Sequence, residues 1–156
     1  LAQEHTVEHC RQHLWKTRYY RDEMGADLKK VIWAFELPAD PGELASWKRQ
    51  SNSWERNCRS PSGDKVERPL NLDPGYLSEA KLVLATTKDR DHRIYLGQGI
   101  FAECTLSFHK RQWQPRDWTY PDFCSAPYRA FLLDCRDYLR ERSRQESVEE
   151  GQGERR

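Results

Sequence analysis

The eight residues T-T-K-D-R-D-H-R (Thr86–Arg93) place hydroxyl, ammonium, carboxylate and imidazole groups within one short stretch. The chemistry nearest to such a set is guanine recognition, which needs [N/T]-K-x-D. There the aspartate takes the ring N–H and the exocyclic amine, and the lysine stem lies over the ring. In Thr87-Lys88-Asp89-Arg90 the aspartate falls one place early, Asp91 falls one place late, and arginine stands where the carboxylate is needed. Phosphates would further require a P-loop, G-x-x-x-x-G-K-[S/T], whose successive N–H groups hold the anion. None of the eight glycines begins one. A second chemistry is suggested by H-T-V-E-H (His5–His9), an H-x-x-E-H pattern in which two histidines one helical turn apart could share zinc with Glu8 as base. It lies within ten residues of a chain end and no third ligand is indicated, so no metal centre is expected.

Other polar residues could act if folding brings them together. His92 ionises near neutrality and suits acid–base work with Asp89 or Glu103 within hydrogen-bond reach. Asp73, ahead of Pro74, reads as a helix N-cap, and the same helix start would offer free N–H groups to an anion. Lys88 suits the last turn of a helix. Asp122 follows Tyr120-Pro121 in a natural turn. No G-x-S-x-G elbow and no Cys/His pair supports a nucleophilic mechanism. The candidate binding set is therefore Asp73, Lys88, Asp89, His92, Arg93, Glu103 and Asp122. Its expected ligand is a small anionic molecule, phosphorylated or nucleotide-like, with no cofactor. The competing reading is a non-catalytic interaction module, which the lack of any complete catalytic motif favours.

These residues need elements to hold them. Val7, Cys10 and Leu14 are spaced for a helix over Ala2–Trp15, and R-Y-Y-R-D-E-M-G-A-D-L-K-K (Arg18–Lys30) for a short helix stopped at Gly25. V-I-W-A-F-E-L (Val31–Leu37) is β-branched and aromatic, a strand. Asp40 and Pro41 mark a helix start, with Leu44, Trp47 and Trp54 on its inner side. Cys58–Pro69 is a loop by composition. Tyr76, Ala80, Val83, Leu84 and Thr87 fall on one helical face, which predicts a helix over Asn71–Asp89, although Leu82–Ala85 alone would also suit a buried strand. Gly97-Gln98-Gly99 turns strand Ile94–Leu96 into strand Ile100–Phe108, with even-numbered residues facing one way and odd-numbered ones, Glu103 included, the other. A further strand is expected near Trp113. Ser125 should cap a last helix, with Tyr128, Phe131, Leu132, Cys135 and Leu139 facing in. The sum is an α+β fold with a small, mainly antiparallel sheet packed by helices. A single domain is expected over residues 1–141, followed by a polar, disordered tail over 142–156.

The 156 residues fit one domain. Formal charge is +1, which gives no electrostatic case for nucleic-acid or membrane partners. Mean hydropathy is −1.02, and 18 aromatic residues (six Trp, seven Tyr, five Phe) supply the apolar area for a core. Five scattered cysteines, with no C-x-x-C pair, fit reduced thiols. No apolar run reaches a membrane-spanning length and no signal peptide is visible, so a cytoplasmic location is the expectation.

The stretches N-L-D-P-G-Y (Asn71–Tyr76), K-L-V-L-A-T-T-K-D (Lys81–Asp89) with H-R-I-Y-L (His92–Leu96), T-Y-P-D (Thr119–Asp122) and T-R-Y-Y-R-D-E-M-G (Thr17–Gly25) together resemble an uncharacterised prokaryotic domain family. The resemblance covers roughly residues 15–140. Members of that family are often labelled GTP-binding, so the resemblance implies a nucleotide but no activity. Family members usually carry an apolar strand and a helix ahead of the Y-Y-x-x-E-M-G motif. This chain has a short, His-rich lead there, and Arg18 where an acidic residue is common. A missing first strand would leave a sheet edge open to self-association.

Overall fold

The computed structural model describes residues 10–16, 29–58 and 69–153. Strands β1 (Cys10–Lys16) and β2 (Lys29–Phe35) form a two-stranded antiparallel sheet in which Cys10 pairs with Phe35 and Lys16 with Lys29. The helix expected to reach Trp15 is thus a strand over its described part, because β2 offers a ladder of backbone hydrogen bonds. Of the expected Arg18–Lys30 helix, only Lys29 and Lys30 are described, and they belong to β2. The H-T-V-E-H stretch lies outside the described residues, as do positions 59–68 of the expected loop.

Helix α1 (Leu44–Asn57) starts as the sequence predicts. Asp40 accepts a hydrogen bond from Gly42 N at 2.8 Å, Pro41 opens a single 3-10 turn (Pro41–Glu43), and the α-helix follows. Five strands form the second sheet. They are β3 (Gly75–Leu77), β4 (Lys81–Thr86), β5 (Ile94–Gly97), β6 (Ile100–His109) and β7 (Gln112–Pro115). Their order is β3-β4-β6-β5, with β7 also pairing on β6, and every described register is antiparallel. Helix α2 spans Ala126–Gly153. The fold is α+β.

The helix expected over Asn71–Asp89 is therefore a hairpin. Leu82, Val83 and Ala85 are buried on an interior strand, and such a strand reads as a continuous apolar run that can mimic a helical face. Ser78 makes the turn: its N–H donates to Lys81 O at 2.9 Å, and its Oγ accepts from Ala80 N and Lys81 N. Gly75 is set by space. A Cβ there would stand 2.4 Å from Val83 O and 2.6 Å from Leu84 Cδ2, so only glycine lets β3 lie this close to β4.

By its internal contacts the chain divides into two units. One comprises residues up to Pro74 together with Ala85–Ala102, and the other Gly75–Leu84 with Glu103–Arg156. The second unit has its own core. Leu106, Trp113, Phe123, Tyr128, Phe131 and Leu132 are buried, and the rings of Phe108 and Trp113 meet edge-on at 5.2 Å. Arg136 of α2 lies 3.7 Å over the Phe108 ring and donates from Nε to Glu79 O at 2.7 Å, fastening the helix to the β3–β4 turn. The T-Y-P-D segment is held by Thr119. Its Oγ donates to Thr105 O at 2.5 Å and accepts from Arg116 N at 2.7 Å, while Pro121–Cys124 form a 3-10 turn.

Two expectations about α2 need correction. The Ser125 carbonyl accepts from Arg129 N at 3.0 Å, but the Ser125 hydroxyl makes no cap bond and has no partner. The helix also continues past Arg142 to Gly153, where a disordered tail was expected. One i,i+4 pair, Arg142 with Glu146 at 2.9 Å, supports that polar extension.

Candidate functional site

Helix α1 turns two polar faces to different tasks. Leu44, Lys48, Ser51 and Glu55 recur at i, i+4, i+7 and i+11, and all four are buried. The expected inner residue Trp54 is instead 52% exposed. The reason is the backbone of Leu72, which needs polar partners. Lys48 Nζ donates to Leu72 O at 2.6 Å, and Leu72 N donates to Glu55 Oε1 at 2.7 Å. Both main-chain groups of one residue are thus satisfied by the two buried charges of α1. Lys48 also meets Asp73 Oδ1 at 3.1 Å, and Asn71 Nδ2 donates to Asp73 Oδ2 at 2.8 Å. This clamp holds the start of the N-L-D-P-G-Y segment. Ala85 N then donates to Pro74 O at 3.0 Å.

The adjacent face of α1 borders a groove of about 560 Å³. Ser46, Arg49, Gln50, Asn52, Ser53 and Arg56 line it from the helix. Thr87 and the hairpin residues Gln98, Gly99 and Ile100 line it from the other side. All belong to the first unit. The hairpin wall has a special backbone: Gly97, Gln98 and Gly99 have φ of 101°, 56° and 74°. Consecutive left-handed residues are what a tight hairpin demands, and glycine supplies two of the three. Arg49 Nη1 donates to Gln98 Oε1, tying the helix to this turn. Two guanidinium groups, several amides and several hydroxyls therefore face the groove, and no carboxylate lines it.

Of the seven candidate residues, four share one loop. Lys88, Asp89, His92 and Arg93 lie between β4 and β5, not at a helix end, so the dipole role expected for Lys88 is replaced. Its carbonyl accepts from Arg93 Nη1 at 2.8 Å, and its N–H donates to Thr86 Oγ1 at 3.2 Å. Arg93 N donates to Arg90 O at 3.0 Å, closing the turn. His92 Nδ1 lies 3.1 Å from Asp91 Oδ1, and that contact holds the exposed Asp91 carboxyl below its ordinary range. Asp73 belongs to the same unit but is engaged in the clamp and caps no helix. Glu103 and Asp122 belong to the other unit. Glu103 is buried at 6% exposure in the middle of β6 and has a partner within the fold; the half-buried Asp122 sits in the 3-10 turn and is also engaged.

Reasoning from sequence missed Lys48, Glu55, Arg49 and Arg56. The available signal was the heptad-like repeat of Leu44, Lys48, Ser51 and Glu55, which only a backbone demand for polar partners makes readable as an inner face. Among the described residues no cluster of His, Cys, Asp and Glu could hold a metal ion, and the described thiols Cys58, Cys104, Cys124 and Cys135 are free. No helix among them is long and apolar enough to cross a membrane.

No curated protein and no solved structure matches the chain. A family model described as a domain of unknown function (DUF4416) matches residues 4–138, and this chain belongs to that family.

Proposed function

We propose that this chain binds a small anionic, phosphate-bearing molecule in the groove between α1 and the β4–β5 and β5–β6 turns. The observation that carries this reading is the lining: Arg49 and Arg56 face a volume of about 560 Å³ with amide and hydroxyl neighbours and no acidic side chain. That volume falls within the roughly 300–1,000 Å³ of ordinary ligand sites. Guanidinium groups match phosphate oxygens in charge and geometry. Thr87, from the loop singled out by composition, lines the groove with its hydroxyl-bearing side chain. Guanine selectivity is not part of the proposal, because arginine occupies the position where the base-reading aspartate would stand.

Thermal unfolding against inorganic phosphate, ATP and GTP tests it. Free ligand at 100 times its Kd adds about 2.7 kcal/mol, which for a chain of this length raises the midpoint by roughly 5–11 °C. ATP and GTP should act alike, and Arg49→Ala or Arg56→Ala should each reduce the shift. No shift with any of the three anions removes the reading.

A separate observation favours a second reading, an interaction module that self-associates. In the sheet order β5 is a terminal strand, and its Ile94, Tyr95 and Leu96 are 71%, 60% and 41% exposed. An uncharged apolar edge pairs readily with a second copy of itself. Light scattering during gel filtration tests this: a dimer converted to monomer by Tyr95→Lys supports it, and a monomer at all concentrations sinks it.

A further inference from the structure

We infer that the groove is built for a ligand with two separated phosphate groups joined by a hydroxyl-bearing spacer, the chemistry of a sugar bisphosphate. This rests on the anion-binding reading above and adds the ligand class. Arg49 and Arg56 are seven residues apart on one helix, so their Cα atoms stand about 10.5 Å apart, roughly two turns along one face. Arg49 is tied to Gln98 across the groove and is not free to swing toward Arg56. With Arg49 held on Gln98 and Arg56 rooted farther along the same face, the two guanidinium groups offer two anion sites rather than one shared site. Between them on the same face are Asn52 and Ser53, both half-buried groove residues. A carboxamide and a hydroxyl each donate and accept, which suits sugar hydroxyls and does not suit a bare polyphosphate chain. The Gln98 amide and the Thr87 hydroxyl supply the same chemistry from the opposite wall.

Isothermal titration calorimetry on the full chain distinguishes the outcomes, with a hexose bisphosphate, the matching hexose monophosphate and inorganic phosphate as probes. The bisphosphate should bind at least about tenfold more tightly than the monophosphate, the gain from one further charge-assisted contact. Arg49→Ala and Arg56→Ala should each reduce the bisphosphate to the affinity of the monophosphate. Both side chains are exposed, and an unchanged circular dichroism spectrum confirms that the variants fold. If inorganic phosphate or the monophosphate binds as tightly as the bisphosphate, and Arg49→Ala weakens both, the two-site inference is overturned while the anion groove stands. If none of the three binds, or binding is indifferent to both arginines, the groove reading itself is overturned and this inference with it.

Discussion

Removing either charge that holds Leu72 should destabilise the protein through a single peptide unit. Glu55→Leu keeps most of the side-chain volume but removes the acceptor of Leu72 N, a hydrogen bond of 2.7 Å to a buried carboxylate. Lys48→Met keeps the stem but removes the donor to Leu72 O, at 2.6 Å. A hydrogen bond to a charged group contributes about 1.5–3 kcal/mol, so each substitution should cost about 2 kcal/mol. The Lys48–Asp73 ion pair adds little to that figure, because Asp73 is half exposed and solvent screens it. For a chain of this length the melting midpoint falls by about 4–8 °C per substitution. Urea unfolding followed by tryptophan fluorescence measures the loss as a lower midpoint at unchanged slope. Because both side chains act on one residue, the double variant should lose less than the sum by more than about 0.5 kcal/mol. Glu55→Gln retains an acceptor oxygen and should recover about half the loss. Costs below about 0.5 kcal/mol for both single variants, the range of ordinary surface changes, would refute the clamp.

Three further outcomes follow from other contacts. Gly75→Ala would press a methyl group into Val83 O and Leu84, and it should cost about 2 kcal/mol in chemical denaturation, the range for overpacking. Thr119→Val preserves shape but removes the donor to the part-buried Thr105 O and the acceptor of the exposed Arg116 N, so a loss of about 1 kcal/mol is expected by the same measurement. The Asp91 carboxyl should titrate below its usual 3.8 by NMR, principally because of the His92 side-chain hydrogen bond, and His92→Ala should raise it. Since the folded-state pKa is lowered, the contact's contribution is present above the ordinary carboxylate pKa and is lost as pH falls through the lowered value.

Among the described residues, the segments that carry the family resemblance are largely accounted for by packing. Leu72 is clamped, Gly75 permits a close approach of strands, Lys81–Thr86 form an interior strand, and Thr119 bonds two backbone groups. Two charged residues within those segments hold loops in place: Arg93 bonds the Lys88 carbonyl, and Asp73 completes the Lys48 contact. The groove is lined mainly by residues of α1, in a stretch that carries no motif.

Local chemistry alone determined several features of this chain. Asp40-Pro41 opens the turn that leads into α1, because the cap and the fixed proline φ are local properties of those residues. Gly97-Gln98-Gly99 makes a hairpin because consecutive left-handed residues are cheap only where glycine stands. The Tyr128–Cys135 stripe faces inward because its spacing matches the helical period. Tertiary structure decided the rest. Lys81–Thr86 is a strand because neighbouring strands supply the hydrogen bonds of both its edges, a condition its own helix-like spacing cannot express. Lys48 and Glu55 point inward, and Trp54 outward, because a peptide 17 residues beyond Glu55 needs a donor and an acceptor. The groove exists only because a hairpin distant in sequence stands opposite α1, and no pattern along the chain records that meeting.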